Sequence, residues 1–297
     1  MSETSKSALD ARLSVCQLSL PDTTFEEDLQ LIKGSGAPGV ALAEFKMRDG
    51  EDDKHIADLR ASGLTATVCI PANIAPLSML PPYIYPGPDD VDERVELMCG
   101  SVRRLAAYEP DCIALCTGSS EGYSREDARR IAIEGIREAT RVADEHGTRI
   151  ALEICRNDLG TDFTFLQEIP ETMEFIEEVG SPAIGLCYDF YHLWDKDDAL
   201  ELTEQYATRT FGVQYNDWRE PPRGPADRVL PGDGIMDIPG IIGALERGGF
   251  TGWYDFEVFS DDGRWGVDLP DSLWKMPYDE MLDKAHAGFR TAWEARR

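Results

Sequence analysis

Short apolar runs alternate with longer amphipathic segments along the whole of this chain. The apolar runs are rich in β-branched and aromatic residues, which is typical of buried parallel strands. They predict eight strands, at residues 13–18, 39–45, 65–70, 112–117, 149–154, 183–189, 210–215 and 253–258. The amphipathic segments predict eight helices, at residues 24–35, 52–62, 90–108, 125–146, 168–179, 196–206, 238–247 and 278–295.

This alternation predicts an α/β fold, a single (β/α)8 TIM barrel over residues 1–297. About ten residues at the N-terminus are expected to be flexible. An open doubly wound sheet is the alternative, but no G-x-G-x-x-G follows the first strand and no Walker A motif is present. Three long loops, at residues 71–88, 218–237 and 260–277, are expected to build the walls of an active face.

Composition restricts the partners and the compartment of the protein. Of its 297 residues, 42% are hydrophobic and 29% are charged, as in globular domains. The net charge is -27, and only seven of the 29 cationic residues are Lys. An acidic excess with few lysines is expected for a high-salt cytoplasm, where ions screen the repulsion. Nucleic acid and anionic membranes are not expected as partners, because phosphate binding requires a basic surface.

The cysteines and the N-terminus also indicate a cytoplasmic protein. The seven cysteines lie mostly in predicted strands and lack zinc-type spacing, so we expect all of them to be reduced and structural. The segment MSETSKSALDAR is polar and lacks the apolar core of a signal peptide. No apolar run approaches the roughly 20 residues of a membrane span.

Four oxygen-bearing side chains lie near the ends of the last four predicted strands. They are Glu153 in IALEI, Asp189 in IGLCYDFYH, Gln214 in FGVQYND and Glu257 in WYDFEVF. Because the carboxyl ends of barrel strands meet on one face, these side chains are expected to converge. A buried carboxylate is costly unless it is paired or bound to a cation. Four oxygen ligands suit Mg²⁺ or Mn²⁺; ion pairs with arginines across the barrel are the alternative.

Other candidate residues surround this set. His192 follows Asp189 by three residues and either contacts a substrate or orients the carboxylate. Arg156 either binds a substrate oxygen or pairs with an acid, and Glu44 either faces the pocket or pairs inside the barrel. Trp218 offers an aromatic wall or a packing anchor. The other three histidines fall on predicted helices and are expected at the surface: His55, His146 and His286.

The chain resembles the xylose-isomerase-like barrels of the sugar phosphate isomerase and epimerase family. The resemblance extends over nearly the whole chain. It is strongest in the motifs HGTRIALEICRND, IGLCYDFYHLWD, FGVQYNDWRE, RVLPGDGIMDI and GWYDFEVFS. Keto-sugar 3-epimerases, inosose isomerases and dehydratases, hydroxypyruvate isomerase and 3-dehydroshikimate dehydratase belong to this group.

The resemblance implies that the four strand-end residues bind one divalent metal, Mn²⁺ or Mg²⁺ with Co²⁺ as a further candidate, and that no nucleotide cofactor is used. It implies a substrate contact for His192 and places Arg219 near the substrate, although the spacing of Arg219 from Gln214 matches less closely. The epimerases usually carry His at the position of Gln214, and Gln instead resembles the hydroxypyruvate isomerase and dehydroshikimate dehydratase branches. In RVLPGDG, Arg228 and Asp233 are expected to shape the loop.

Removing a proton next to a carbonyl group creates an enediolate, which a divalent cation can stabilise. Glu153 and Glu257 are the candidate base and acid. Return of the proton gives epimerisation or isomerisation, and loss of a β-hydroxyl group gives dehydration. The leading hypothesis is therefore an isomerase or epimerase of a small keto-sugar, inositol derivative or hydroxy-keto acid. A dehydratase of an inosose- or 3-dehydroshikimate-like compound is the alternative.

Two further alternatives receive less support from the sequence. An endonuclease IV-like hydrolase needs a His-rich zinc cluster, and this chain has four His and a strongly negative charge. A non-catalytic binding protein would not need all four strand-end ligands. The expected partner is a small molecule, and no basic phosphate cradle is evident near the last two strands. A homodimer is expected only by analogy with similar barrels.

Overall fold

The computed structural model describes residues 9–10 and 12–297. Most of the N-terminal segment that was expected to be flexible lies outside these residues. Eleven strands occur in the described part of the chain: β1 (Leu13–Cys16), β2 (Gly39–Ala41), β3 (Thr65–Ala66), β4 (Val68–Cys69), β5 (Cys112–Leu115), β6 (Ile150–Glu153), β7 (Ile184–Asp189), β8 (Thr210–Tyr215), β9 (Asp217–Trp218), β10 (Arg228–Val229) and β11 (Tyr254–Phe256). The short strands β9 and β10 form an antiparallel hairpin, and the others form one parallel sheet.

The parallel sheet is a barrel whose third strand is interrupted at Thr67. The strand order is β3-β2-β1-β11-β8-β7-β6-β5-β4. The two ends of this order, β3 and β4, flank Thr67 in one extended run. The backbone N of Thr67 donates to Val40 O, and the backbone N of Cys112 donates to Thr67 O. Because this run bonds to neighbours on both sides, the sheet closes at eight strand positions, which confirms the predicted TIM barrel.

Helices follow the strands and cover the outside of the barrel. In the described residues they are α1 (Phe25–Gly34), α2 (Asp52–Ser62), α3 (Val91–Ala106), α4 (Arg125–Glu145), α5 (Ile169–Val179), α6 (Phe190–Leu193), α7 (Ala199–Tyr206), α8 (Ile238–Arg247) and α9 (Tyr278–Glu294). Eight of them agree with the predicted helices to within a few residues. The single turn α6 was not predicted; it starts directly at the end of β7, where Asp189 Oδ1 accepts a hydrogen bond from Tyr191 N. None of these helices is long and apolar enough to cross a membrane.

The interior of the barrel contains a small cluster of polar side chains below the carboxyl ends of the strands. Asp255 is fully buried, and its Oδ1 accepts a hydrogen bond of 2.6 Å from Thr67 Oγ1. Ser14 Oγ lies 2.8 Å from the same Thr67 oxygen. Burial raises the pKa of Asp255 to about 7, because the ionised form has little solvation there. All seven cysteines fall within the described residues and are buried free thiols, as predicted.

The prediction that three histidines lie at the surface was wrong for two of them. His146 is exposed at the end of α4. In contrast, His55 is fully buried and its ring centre lies 4.5 Å from that of Phe25. His286 is also buried, on the face of α9 that includes Phe289. Both residues occupy positions of the apolar stripe of their helix, so helical spacing outweighs the polarity of the imidazole ring.

Candidate active site

A cavity of about 260 Å³ lies at the carboxyl ends of the strands. Every strand-to-helix loop contributes to its lining, from Leu18 after β1 to Trp265 after β11. A larger and more open cleft of about 690 Å³ lies at the other end of the barrel, where Asp111 and Arg149 form an ion pair. We place the candidate site in the smaller cavity, because buried carboxylates converge there and TIM barrels carry their sites at this face.

Three carboxylates form the floor of this cavity or lie just below it. Glu153 ends β6, Asp189 ends β7 and Glu257 directly follows β11. Their exposed fractions are 8%, 0% and 3%. Parallel register sets Asp189 beside Gln214 on the neighbouring strand β8. The structure therefore brings together the four strand-end side chains that were expected to converge.

Burial and mutual repulsion control the protonation of these carboxylates. Burial raises the pKa of Glu153 above its ordinary value, and the charges of Glu257 and Asp189 raise it further. Burial also raises the pKa of Glu257, against the attraction of the Arg228 guanidinium. Both groups can therefore hold or release a proton closer to neutral pH than an exposed glutamate.

Arg228 contacts the carboxylates of the floor, which the sequence did not predict: it was expected to shape a loop and to leave room for a substrate carboxylate. Its Nη1 donates to Asp189 Oδ2 at 2.9 Å and to Glu257 Oε2 at 3.1 Å. The guanidinium also lies over the rings of Tyr191 and Phe259, at 4.6 and 4.7 Å from their centres. The available signal was one arginine directly before the LPGDG turn. The alternative that arginines pair with the strand-end carboxylates is therefore partly correct: Arg228 is one cation beside three carboxylates.

Asp217 fixes the hairpin that carries Arg228. Its carboxylate accepts hydrogen bonds from four backbone amides, those of Trp218, Gly232, Gly234 and Met236. A side chain at Gly234 would collide with the Asp217 carboxylate and the Trp218 carbonyl. Gly232 has φ of +94°, in the left-handed region that favours glycine. The two glycines of the LPGDG turn are therefore required by this carboxylate and by the turn itself.

Two side-chain amides orient the carboxylates. Gln214 Nε2 donates to Glu257 Oε1 at 2.8 Å, and Asn216 Nδ2 donates to Asp189 Oδ1 at 3.0 Å. The oxygen of Gln214 faces Cys187 Sγ at 3.6 Å. Rotation of the amide group by a half turn exchanges its oxygen and nitrogen, so Gln214 can present either a donor or an acceptor to the floor.

His192 is a neutral hydrogen-bond donor in this arrangement. Its Nδ1 accepts a hydrogen bond from the backbone N of Arg156 at 3.1 Å. In a neutral imidazole the proton then resides on Nε2, which lies 3.8 Å from Glu153 Oε1 and 3.6 Å from Asp189 Oδ2. Burial lowers the pKa of His192 to about 3, so the ring is uncharged at neutral pH.

Arg156 lines the cavity, but its charge is already paired. The guanidinium donates to Asp158 at 2.7 Å and to Asp195 at 3.2 Å. It also stacks over Trp218, 4.1 Å from the ring centre. Trp218 does not line the cavity; it packs against Tyr191 and donates from Nε1 to Glu220.

Two more candidates from the sequence lie outside the cavity. Glu44 is buried, and its carboxylate accepts a hydrogen bond from the backbone N of Ala72 at 2.8 Å. Arg219 is about a third exposed and pairs with Asp227 and Asp271 in the hairpin loop. Of the residues named from the sequence, the structure thus gathers the four strand-end residues, His192 and Arg156, and leaves Glu44, Arg219 and Trp218 outside.

Aromatic side chains cover the carboxylates from above. The ring of Tyr85 lies between those of Phe45 and Phe163, with centres 5.5 and 5.7 Å away. Burial raises the pKa of Tyr85, and the nearby charges of Glu153 and Glu257 raise it further. The Tyr85 phenol is therefore neutral, and it lines the cavity. Within the described residues its hydroxyl has no hydrogen-bond partner.

The donor set fits a divalent cation. Three buried carboxylates face a single buried guanidinium, and such an excess of negative charge in a low-dielectric site is costly without a further cation. Oxygen atoms dominate the floor, as hard cations prefer. Ligand atoms of Glu153, Asp189 and His192 lie within 4.8 Å of one another. Because His192 directs a protonated nitrogen at the carboxylates, Gln214 fits the ligand set better.

A parallel (β/α)8 barrel with buried carboxylates at the carboxyl ends of its strands defines a TIM barrel with an acidic site. Comparison with known protein families identifies the family of this barrel. The chain belongs to the xylose isomerase-like TIM barrel family, whose model matches residues 29–283.

Relatives with assigned names are distant. An inosose isomerase of Bacillus velezensis is 24% identical over 250 residues, which cover 81% of this chain and 85% of that protein. An inosose dehydratase of Klebsiella pneumoniae is 26% identical over 157 residues, 47% of this chain and 50% of that protein. The chain spans about half the length of several other curated relatives that it matches, including the inosose isomerase of Bacillus subtilis.

Solved structures share the fold over nearly the full chain. Protein SMc04130 of Sinorhizobium meliloti 1021 superimposes with a TM-score of 0.80 at 23% identity, covering 95% of this chain and 98% of that one. The IolI protein with a bound zinc atom gives 0.76 at 16% identity, covering 95% and 97%. A D-psicose 3-epimerase gives 0.76 at 16% identity, covering 95% and 99%.

Proposed function

We propose that this protein is a divalent-metal-dependent isomerase or epimerase. Its substrate is a small α-hydroxy carbonyl compound, such as a keto-sugar, an inositol derivative or a hydroxy-keto acid. One observation carries the proposal: Glu153 and Glu257 line one small cavity at the strand ends and come from strands separated by two others. The names of the relatives, inosose isomerase and inosose dehydratase, support it.

Glu153, Asp189, Gln214 and Glu257 are the residues that would hold the metal. When bound, the cation supplies a Lewis acid that stabilises negative charge on the carbonyl and hydroxyl oxygens of the substrate. Mn²⁺ and Mg²⁺ fit a floor of oxygen donors. The acidic surface of the chain fits a cytoplasm of high ionic strength.

The side chains of the cavity divide the proton chemistry among them. Glu153 takes the proton from the carbon next to the carbonyl group, and Glu257 returns a proton from the other side. His192 Nε2 and Arg228 donate hydrogen bonds to substrate oxygens. The aromatic cover excludes water from the enediolate.

Dehydration is the second candidate reaction. It needs a carboxyl group that can deliver a proton to a departing hydroxyl group, and Glu257, which lines the cavity, is the candidate for this role. The inosose dehydratases among the relatives favour keeping this candidate. The two reactions share their first step and differ in which bond breaks next.

Proton NMR in D2O tests the proposal and separates the reactions. The Mn²⁺-loaded protein at high salt is incubated with ketohexoses, inososes, hydroxypyruvate and 3-dehydroshikimate. Deuterium at a carbon next to a carbonyl group is the expected result, and a new olefinic signal would identify a dehydratase. The proposal fails if no compound exchanges at a rate above that of a Glu153→Gln control.

A further inference from the structure

The cavity has a polar floor and an apolar upper half. The polar lining side chains Glu153, Glu257, Arg228 and His192 all belong to the floor. The loops beyond the strand ends line the rest of the cavity mainly with hydrocarbon: Ile74, Met79, Ile84, Leu159 and Phe163. Polar atoms are thus concentrated on one side of any bound molecule.

The few polar groups above the floor do not change this division. Tyr191 lines the cavity, but its hydroxyl donates to Gly224 O and is therefore occupied. Tyr85 adds a single hydroxyl group to the lining, and its ring packs between those of Phe45 and Phe163. Thr161 is the remaining hydroxyl of the described lining. A substrate hydroxyl group held in the upper half would therefore face hydrocarbon for most of its surroundings.

The charges of the cavity disfavour an anionic substrate. Arg156 and Arg228 are the cationic residues of the described lining, and each is already bonded to two carboxylates. His192 is neutral. Apart from the metal of the proposed function, a phosphate or carboxylate group would therefore find no unpaired cation among the described lining residues.

The size of the cavity limits the substrate further. Its volume of about 260 Å³ lies below the range of roughly 300–1,000 Å³ that is typical of pockets for drug-sized ligands. One six-carbon ring or a short chain fits this space. A hydroxyl group that leaves water without gaining a partner weakens binding by roughly tenfold or more.

We infer that the substrate is a small uncharged α-hydroxy ketone whose oxygens lie along one edge and whose other carbons carry few or no hydroxyl groups. This inference rests on the proposed function but departs from its named examples: it keeps the α-hydroxy carbonyl edge and excludes the further hydroxyl groups of a keto-sugar or inositol derivative and the charge of a hydroxy-keto acid. The hydroxy-ketone edge contacts the carboxylate floor. The C–H face lies under Tyr85 and Phe163, where an aromatic ring packs well against hydrocarbon.

Two rings that differ only in hydroxylation test the inference. 2-Hydroxycyclohexanone and an inosose have the same six-membered ring and the same hydroxy-ketone edge. Deuterium exchange by the Mn²⁺-loaded protein in D2O gives kcat/KM for each, with dihydroxyacetone as the edge alone and its phosphate as the charged counterpart. We expect 2-hydroxycyclohexanone to exceed the inosose at least tenfold, and dihydroxyacetone to exceed its phosphate at least tenfold.

The outcomes separate this inference from the proposed function. An inosose that exchanges as fast as 2-hydroxycyclohexanone, or faster, overturns the inference and leaves the proposed function standing. If neither ring nor dihydroxyacetone exchanges, the proposed function loses its support. Titration calorimetry of the two rings then still decides the inference, because tighter binding of the inosose contradicts an apolar upper half.

A pair of wall variants links the preference to a residue. Ile74 is 4% exposed and lines the apolar wall. Thr and Val have nearly the same shape, so Ile74→Thr against Ile74→Val isolates the effect of one hydroxyl group. We expect the ratio of inosose to 2-hydroxycyclohexanone turnover to be several-fold higher in Ile74→Thr than in Ile74→Val. An equal ratio in the two variants contradicts the role of this wall.

Discussion

Removal of Arg228 tests the charge balance of the floor. Its guanidinium is 4% exposed and bonds to Asp189 and Glu257, which are equally buried. Loss of one partner from a buried ion pair costs about 3–5 kcal/mol, because the remaining charges keep their desolvation without compensation. We therefore expect Arg228→Met to lower the free energy of unfolding by this amount when metal is removed with EDTA.

The metal should offset part of this loss. A cation that binds the variant more tightly than the wild type reduces the deficit by about 1.4 kcal/mol for each tenfold ratio of the two dissociation constants. In Arg228→Met it would also neutralise carboxylates that no longer have a partner. Urea unfolding at mildly alkaline pH, with EDTA or with saturating Mn²⁺, measures both values. We expect the deficit of the variant to fall to about half with Mn²⁺, since one cation replaces another.

Arg219 provides a matched control for this experiment. It also bonds to two carboxylates, but it is about a third exposed, and Arg223 remains bonded to the same Asp227. Solvent screens such pairs, so Arg219→Met should cost less than about 1 kcal/mol. A similar cost for the two variants, or a deficit of Arg228→Met that Mn²⁺ does not change, would refute the assignment of the floor as a cation site.

Three further predictions concern catalysis and pH. Glu153→Gln and Glu257→Gln should each reduce kcat by about 10²–10⁴-fold with an unchanged circular dichroism spectrum; near-normal turnover in either one contradicts its role in proton transfer. Tyr85→Phe should lower kcat/KM by about tenfold, because the phenol lines the cavity and one neutral hydrogen bond to the substrate is lost; an unchanged value in steady-state assays would assign Tyr85 to packing alone. Burial lowers the pKa of His286 to about 4. As the pH drops from about 6.5 to 4, the unfolded chain therefore binds a proton before the folded protein does. The free energy of unfolding falls over this range by up to about 3 kcal/mol. His286→Leu should remove this loss in urea unfolding across that range, whereas the exposed control His146→Leu should retain it.

The sequence alone predicts the barrel and the convergence of its carboxylates. Short continuous apolar runs that end near Glu153, Asp189 and Glu257 predict both the strands and the face on which they end. Helical spacing also carried a signal that was overlooked, since His286 lies one turn from Leu282 and Phe289 on the buried stripe of α9. In these strands and in α9, the pattern of apolar residues along the chain agrees with which residues are buried in the fold.

The parts that could not be predicted depend on loops. Strands β9 and β10 have two residues each, too short to show any periodicity. The distance from Arg228 to the carboxylates depends on how that hairpin folds over the barrel. The aromatic ceiling likewise joins Phe45, Tyr85 and Phe163 from three separate loops. Such contacts are tertiary, so spacing along the chain does not reveal them.

The way Asp217 anchors its hairpin has a consequence for how this barrel can diverge. The amides that it holds lie at the start and just beyond the end of the loop, so residues 219–227 are enclosed between fixed points. That segment supplies Pro225 and Ala226 to the cavity wall. Changes of length or sequence within it can therefore alter the accepted substrate while Arg228 keeps its position. Residues of this hairpin loop are therefore the most direct positions at which to change the substrate specificity of this barrel, by substitution or by exchange of the loop.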